Sequence, residues 1–214
     1  ATRGADLEYT QSITLEEAAT GTEKEIGIFH TVTCSQCAGT GAKPGTGRKT
    51  CPQCQGTGQL SYGRGGFFTF SFSQTCSRCG GSGEVIDTPC AVCNGRGKVK
   101  KSSSISLKIP PGVDTGISIR VRGKGEAGEM GGPSGDLYVV IHVKPHKIFE
   151  REGNDLYIEV PILFTTSCLG GEVEVPTLKS SVKMRVPPGT PTDKVFKLKG
   201  KGMPSLHGRG QGDE

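Results

Sequence analysis

Apolar and polar residues alternate in short runs along most of the 214-residue chain, a pattern typical of half-buried β-strands. Strands are predicted in DLEYTQSI, EKEIGIFH, SISLKIP, ISIRVRG and DLYVVIHV, and later in DLYIEVPI, EVEVPTL, VKMRVP and KVFKLKG. Two stretches, TLEEAATG and FTTSCLGG, each predict a helical turn or two ended by glycine. The pattern therefore predicts a mostly β protein.

The predicted strands belong to two copies of one unit. IPPG at 109–112 recurs as VPPG at 186–189, and RGKG at 122–125 recurs as KGKG at 199–202, both 77 positions later. Upstream, residues 5–26 align with residues 154–175 at an offset of 149, with Leu7 on Leu156 and Gly21 on Gly170. The offset falls from 149 to 77, so the first copy carries 72 extra residues.

The extra residues replace a hairpin tip. In the second copy the corresponding connection is only LKSS at 178–181, which predicts a tight hairpin between two strands. The insertion must therefore leave and re-enter the first copy at neighbouring positions. The second copy ends at Gly-Asp-Glu, where the first copy opens the strand LYVVIHV, so we expect a fragment cut before its last strand.

The insertion repeats one phrase four times: CSQCAGTG, CPQCQGTG, CSRCGGSG and CAVCNGRG, beginning at residues 34, 51, 76 and 90. Two thiolates separated by two residues can grip one metal, and two such pairs complete a tetrahedral site. Glycines after the second cysteine permit left-handed or closely approaching backbone. A disulfide scaffold would spread its cysteines over distant segments, so the phrases predict metal binding, with zinc favoured over iron.

Spacing alone does not fix which pairs share a metal. Because the insertion closes at its base, we expect nested pairing, in which the first and fourth phrases hold one zinc and the second and third hold another. The predicted ligand sets are Cys34, Cys37, Cys90 and Cys93, and Cys51, Cys54, Cys76 and Cys79. Apolar residues are scarce here, so coordination must supply most of the module's folding free energy, on the order of 10 kcal/mol or more per zinc.

Other residues give weaker signals. The histidines His30, His142, His146 and His207 lie outside the phrases and are predicted surface or strand residues. The ninth cysteine, Cys168, aligns with Ala19 and is predicted to be a small buried residue. Redox chemistry at one Cys-x-x-Cys pair is an alternative function, although a redox site normally uses a single pair at a helix start.

Composition restricts the remaining classes. The net charge of +5 is mild, and the 34 glycines and 13 prolines suit a turn-rich β protein with small cores. The sequence contains no run of about 18 apolar residues, so it predicts no membrane span, and no signal peptide is seen. Nucleic-acid binding through the cysteine phrases is a second alternative; it would use Arg48, Lys49, Arg64, Arg78, Arg96 and Lys98.

The four phrases, together with LEEAATGTEKEI, IPPGVDTG, GEAGEMGGPSGDLYV, FEREGNDLY and LGGEVEVPTL, resemble the zinc-containing class of the DnaJ co-chaperone family over essentially the whole chain. That resemblance implies two tandem β-sandwich-like domains, with the two-zinc module inserted in the first and nested ligand pairs. The corresponding boundaries are 1–33 and 98–145 for the first domain, 34–97 for the module and 146–214 for the second domain.

The resemblance also implies a function: the chain binds unfolded polypeptide, prevents its aggregation and, in the full-length protein, delivers it to a DnaK-type chaperone. No enzymatic activity is implied. Clients would add a strand beside an apolar groove in the first β domain. Carrying the family's groove positions over gives Leu7, Ile26, Ile28, Ile105 and Val139. Each also fits a core position of an alternating run.

Two family features do not appear in this sequence, the J domain with its His-Pro-Asp loop and the C-terminal dimerisation segment. We therefore expect the chain by itself to be monomeric and unable to stimulate the partner's ATPase, whereas the full-length protein dimerises. The resemblance implies the bacterial cytoplasm, with the chloroplast stroma or the mitochondrial matrix as alternatives.

Overall fold

The structure, a computed structural model, describes residues 2–64, 70–206, 208 and 210–214. It is mostly β, as predicted, with two six-residue helices, α1 (Leu15–Thr20) and α2 (Phe164–Leu169). No helix in these residues is long and apolar enough to cross a membrane. The strands are β1 (Leu7–Ile13), β2 (Thr22–Thr33), β3 (Lys49–Thr50), β4 (Gln59–Arg64), β5 (Phe70–Thr75), β6 (Glu84–Val85), β7 (Lys98–Ile109), β8 (Ser118–Val121), β9 (Leu137–Val143), β10 (Glu150–Glu152), β11 (Asp155–Tyr157), β12 (Gly171–Pro176) and β13 (Ser181–Val186).

The strands form one three-stranded sheet, in the order β1-β9-β8, and five two-stranded ribbons. The ribbons pair β2 with β7, β3 with β6, β4 with β5, β10 with β11 and β12 with β13. By contact the chain divides into two compact units. Unit 1 contains Ala1–Leu7, Ile28–Ser103 and Val121–Leu137, and unit 2 contains Glu8–Gly27, Ser104–Arg120 and Tyr138–Glu214.

Unit 2 holds most of the aliphatic core. Its fully buried side chains come from both copies of the repeat, and the largest are Ile13, Ile109, Val113, Val139, Ile141, Leu156, Val186 and Met203. Helix α1 begins with a capping box, in which Thr14 and Glu17 each accept a hydrogen bond from the other's backbone N–H. The helix buries Leu15, Ala18 and Ala19, whereas α2 buries none of its residues.

The repeat is visible in the backbone hydrogen bonds, which recur at the two offsets read from the sequence. Each of the following bonds in the first copy has its counterpart in the second: Leu7 N–H to Asp136 O and Leu156 N–H to Asp213 O; Gly125 N–H to Gly135 O and Gly202 N–H to Gly212 O; Gly112 N–H to Ala18 O and Gly189 N–H to Ser167 O. Their N···O distances lie between 2.8 and 2.9 Å. The two copies therefore share one backbone plan.

The predicted hairpin of the second copy is confirmed. Strand β12 pairs antiparallel with β13, from Gly171 opposite Val186 to Pro176 opposite Ser181. Their equivalents in the first copy are residues 22–27 of β2 and residues 104–109 of β7. These two strands also pair with each other. Because the cysteine phrases lie between β2 and β7, the module occupies the place of the hairpin tip.

Two predicted strands of the second copy are wrong in whole or in part. DLYIEVPI forms a strand only at Asp155–Tyr157, and residues 194–200 form none. Their equivalents in the first copy, β1 and β8, both hydrogen bond to β9. In the second copy these segments bond to Asp213 and Glu214, the equivalents of Asp136 and Leu137. Leu156 donates its N–H to Asp213 O, and Leu198 exchanges backbone hydrogen bonds with Glu214.

Candidate metal centres

The structure brings the eight phrase cysteines together as two sets of four. The inner cluster contains Cys34, Cys37, Cys90 and Cys93, and the outer cluster contains Cys51, Cys54, Cys76 and Cys79. Within each cluster the four Sγ atoms lie within 4.8 Å of one another. These are the sets that nested pairing predicts. None of the described histidines enters either cluster: His30 is buried in β2, His142 lies in β9 and His146 follows that strand. His207 falls outside the described residues.

The sulfur spacing fits a tetrahedral ion. Four sulfurs at about 2.3 Å from one zinc would lie about 3.8 Å apart. The Sγ···Sγ distances between corresponding cysteines of partner phrases are 3.7 and 4.0 Å in the inner cluster and 3.7 and 3.8 Å in the outer one. Seven of the cysteines are buried and Cys79 is half-buried, so protein surrounds the sulfurs almost completely. The donor set and its enclosure fit a closed four-thiolate metal site.

The last glycine of every phrase donates its backbone N–H to the sulfur of the second cysteine. Gly41, Gly58 and Gly83 do so at 3.3 Å and Gly97 at 3.2 Å. An N–H donor stabilises the thiolate, which is the form that binds metal. The sequence predicted special backbone at these glycines but not these N–H···S bonds.

These bonds affect the acidity of the inner cluster. Burial raises the pKa of Cys37, but hydrogen bonds from the Gly41 N–H and the Cys93 thiol outweigh it and lower this pKa to about 7. Burial raises the pKa of Cys93 to about 11. The Cys37 thiol is therefore the more acidic of the two, and both thiols must lose their protons to bind a metal.

The two phrases of each cluster contact each other reciprocally. In the inner cluster, Cys34 donates its N–H to Gly97 O at 2.9 Å, and Cys90 donates its N–H to Gly41 O at 2.8 Å. The outer cluster repeats both bonds, from Cys51 to Gly83 at 2.8 Å and from Cys76 to Gly58 at 3.0 Å. Each cluster is thus built from two equivalent half-sites.

Backbone conformation and close packing explain why each phrase ends in glycine. It has a positive φ between 73° and 75° in all four phrases, which disfavours residues with a Cβ. A Cβ added there would also lie only 2.3 or 2.4 Å from the carbonyl oxygen of the glycine two positions before the last one in the partner phrase. The positive φ and the close contact with the partner phrase therefore both require glycine at this position.

Short ribbons connect and extend the clusters. Strand β3 precedes Cys51 and pairs with β6, which follows the third phrase, so this ribbon lies between the two clusters in the chain. The ribbon of β4 and β5 begins directly after Gly58 and returns directly before Cys76. Salt bridges flank the first ribbon, from Lys49 to Asp87 at 2.7 Å and from Arg48 to Glu84 at 3.6 Å.

The predicted groove residues occupy β1, β2, β7 and β9. Ile26, Ile28, Ile105 and Val139 are buried, with exposed fractions of 6% or less, and Leu7 is half-buried. Leu7 is the first residue of β1, an outer strand of the three-stranded sheet. Their role in holding clients stays a prediction.

The prediction for Cys168 is wrong, because this thiol is exposed. It lies in α2, which lacks the burial that α1 has in the first copy. The residues around it are also exposed, among them Leu163, Phe164 and Leu169. The alignment with Ala19 located the helix correctly but not its packing.

Three of the cations expected of a nucleic-acid site are paired with carboxylates in the part of the chain that the structure describes. Arg48 and Lys49 are engaged in the salt bridges above, and Lys98 pairs with Glu129 at 3.5 Å. Arg78 and Arg96 lie within the third and fourth phrases, and the side chain of Arg64 is outside the described residues.

Comparison with known proteins agrees with these features. The family model described as DnaJ C terminal domain matches residues 7–214. The chain is similar to proteins named Chaperone protein DnaJ: 52% identical over 211 residues to that of Nitrosomonas europaea, 49% over 213 to that of Halalkalibacterium halodurans, and 51% over 214 to that of Desulfitobacterium hafniense. These matches cover 99%, 99% and 100% of this chain but only 56%, 58% and 57% of the relatives.

Proposed function

Because this chain belongs to the DnaJ C-terminal domain family, we propose that it holds non-native polypeptides, which the full-length protein delivers to a DnaK-type chaperone. The observation that carries the proposal is the match over residues 7–214 to relatives named as chaperones. The chain spans little more than half of those relatives, so the activity of the whole protein belongs to the proposal. It is a binding function, and neither thiol-disulfide exchange nor nucleic-acid binding is favoured.

We propose further that each cysteine cluster holds one Zn²⁺. Four thiolates in a closed tetrahedral arrangement favour zinc over metals that prefer oxygen ligands or an open position. A bound zinc neutralises charge and links distant segments. Residues 34–97 have few apolar side chains, and Cys-to-metal bonds would stabilise them in place of a hydrophobic core.

The client would bind by strand addition at the first β domain, beside Leu7, Ile26, Ile28, Ile105 and Val139. Strand β1 supports this assignment, because it is an outer strand of its sheet and begins at Leu7. Among the five positions, Leu7 has the most accessible side chain, so we assign it the first contact with an apolar client residue.

The domain boundaries 1–33 with 98–145, 34–97 and 146–214 remain part of the proposal. So do a monomeric state for this chain, a homodimer for the full-length protein, and a cytoplasmic location, which the sources of the relatives favour.

The function is tested by adding the chain to a chemically denatured client and following aggregation by light scattering. We expect suppression at stoichiometric excess, and unchanged aggregation would contradict the proposal. Leu7→Ser should weaken binding of an apolar peptide about tenfold or more, since burial of a leucine side chain is worth about 1.5–3 kcal/mol. Val195→Ser removes an exposed apolar side chain outside the groove and is the matched control. Zinc content should be the same in both variants.

A further inference from the structure

The loop of residues 122–136, RGKGEAGEMGGPSGD, lies in unit 1 together with both cysteine clusters. We propose that this loop, which we call the seat, supports the inner cluster and fixes the direction in which the cluster projects from β2 and β7. Glu129 and Gly131 are its positioning residues. The proposal depends on the folded module and not on client binding.

The loop is anchored to strand β2. Ala127 donates its N–H to Thr31 O at 2.9 Å, and Thr31 donates its N–H to the Glu126 carboxylate, also at 2.9 Å. The Thr31 hydroxyl donates a second hydrogen bond to the same carboxylate. Three bonds between two short segments leave the loop little freedom to shift along β2.

A buried histidine ties the loop to both strands at the base of the module. His30 has an exposed fraction of 7%, and its Nδ1 lies 2.9 Å from Gly125 O, so Nδ1 carries the proton. Its Nε2 lies 3.0 Å from the Ser103 hydroxyl of β7, within hydrogen-bond distance. The imidazole therefore connects β2, β7 and the loop, and both of its ring nitrogens have a hydrogen-bond partner.

The N-terminal residues close the other side of the loop. Gly4 donates its N–H to Pro133 O at 2.9 Å, and Glu129 donates its N–H to Thr2 O at 3.0 Å. The packing is tight, since a Cβ on Gly4 would lie only 1.8 Å from Glu126 O. The loop is thus held between β2 and residues 2–5 before any contact with the cluster is counted.

The anchored loop touches both halves of the inner cluster. In the first phrase, a Cβ on Gly39 would lie 2.9 Å from Gly131 Cα, so the two backbones are in direct contact. Lys98, which directly follows the fourth phrase, places Nζ 3.5 Å from Glu129 Oε1. The cluster therefore rests on the loop at two points.

In the second copy, the equivalent loop lies beside a plain hairpin tip with no cysteine module. Its equivalent loop and the tip of the β12–β13 hairpin, together with Ala19 of α1, line a cavity of about 230 Å³. The loop keeps its backbone hydrogen bond there, from Gly202 N–H to Gly212 O at 2.8 Å. This backbone hydrogen bond of the loop therefore forms where there is no module, as a seat requires.

The chain offers a matched pair of variants for the test. Gly39 and Gly95 are the first glycines of the two phrases in the inner cluster, with φ of 86° and 83°. Alanine is equally strained at both, but only at Gly39 does its Cβ meet the loop; at Gly95 it meets Pro89 Cβ at an ordinary 3.6 Å.

The experiment is hydrogen exchange by mass spectrometry on the zinc-saturated chain, reading the amides of Gly4, Glu129 and Gly132. Gly39→Ala should accelerate their exchange about tenfold, and Gly95→Ala should leave it unchanged, at equal zinc content. Equal exchange in the two variants would overturn the seat.

Swapping the charges of Lys98 and Glu129 gives a second test if Gly39→Ala impairs folding. Lys98→Glu should accelerate exchange at Glu129 by about threefold, because the pair is partly exposed, and Lys98→Glu/Glu129→Lys should restore the slow rate. Failure of the double variant to restore it would also overturn the proposal. Fewer than two zinc ions per wild-type chain would instead contradict the proposed metal sites, which mass spectrometry of the intact protein reports separately.

Discussion

Gly83→Ala is expected to weaken metal binding at the outer cluster far more than Gly80→Ala, although both changes add one methyl group to the same phrase. Both glycines have a positive φ, 75° at Gly83 and 59° at Gly80, so each variant bears about 1–2 kcal/mol of backbone strain. At Gly80 the new Cβ meets nothing within 4 Å. The first phrase already has an alanine at the equivalent position, Ala38, with φ of 48°.

At Gly83 the new Cβ would lie 2.4 Å from Gly56 O, a distance that real Cβ atoms essentially never show. The partner phrase must therefore shift, and it is held by the bond from Cys51 N–H to Gly83 O. Overpacking of this kind costs about 1–3 kcal/mol, which corresponds to roughly a 5- to 150-fold difference in zinc affinity between the two variants.

The assay is competition for zinc with a chromogenic chelator, which resolves the release of the two equivalents. Gly83→Ala should release one equivalent at a much lower chelator concentration than the wild type, while the other stays bound by the inner cluster. Indistinguishable release curves for Gly83→Ala and Gly80→Ala would refute the reasoning that the contact between the two phrases fixes this glycine.

Three further outcomes are expected. A thiol reagent should label Cys168 at once, and the eight cluster cysteines only after chelation, as counted by mass spectrometry; rapid labelling of more than one thiol would contradict the enclosure of the clusters. Arg151→Met should lower the free energy of unfolding by about 2–4 kcal/mol in chemical denaturation, because Arg151 donates to Val113 O at 2.7 Å and to two further carbonyls, whereas Arg185→Met at an exposed site should change it by less than about 0.5 kcal/mol. Acidification should release zinc, since protons compete for the same sulfurs, so zinc affinity measured by chelator competition should rise with pH; a flat profile would argue against thiolate ligands.

Sequence spacing predicted the cysteine module well, because the chemistry is local and repeated. Each phrase carries its own ligands and glycines, and the fall in offset from 149 to 77 located the insertion between two strands. The hydrogen bonds that recur at those offsets confirm the repeat. Nested grouping followed from one topological condition, the closure of the insertion at its base.

Tertiary packing was harder to predict. Residues 194–200 alternate like a strand, yet alternation reports only which side chains could be buried and not whether a partner strand is there. The prediction that Cys168 is buried failed for a related reason, since helix propensity does not determine what covers the helix. The contact between Gly39 and Gly131 is made by backbone atoms of two glycines, which leave no apolar pattern to read.

The reciprocal half-sites have a consequence for the order of folding. Because the four half-sites are equivalent, nothing in their ligands prevents a phrase from sharing a metal with the wrong partner. Chain length by itself favours neighbouring phrases, since Cys76 and Cys90 are only 14 positions apart. The β4–β5 ribbon discriminates instead, because it pairs Gln59 with Thr75 and so brings the second phrase to the third. Between the two nested pairings, loop-closure entropy favours the 25-position loop from Cys51 to Cys76 over the 56-position loop from Cys34 to Cys90 by about 0.7 kcal/mol. Closing the shorter loop first brings the remaining two phrases nearer. We expect zinc to assemble the module from its far end towards its base, so that the first ion captured limits mispairing of the second.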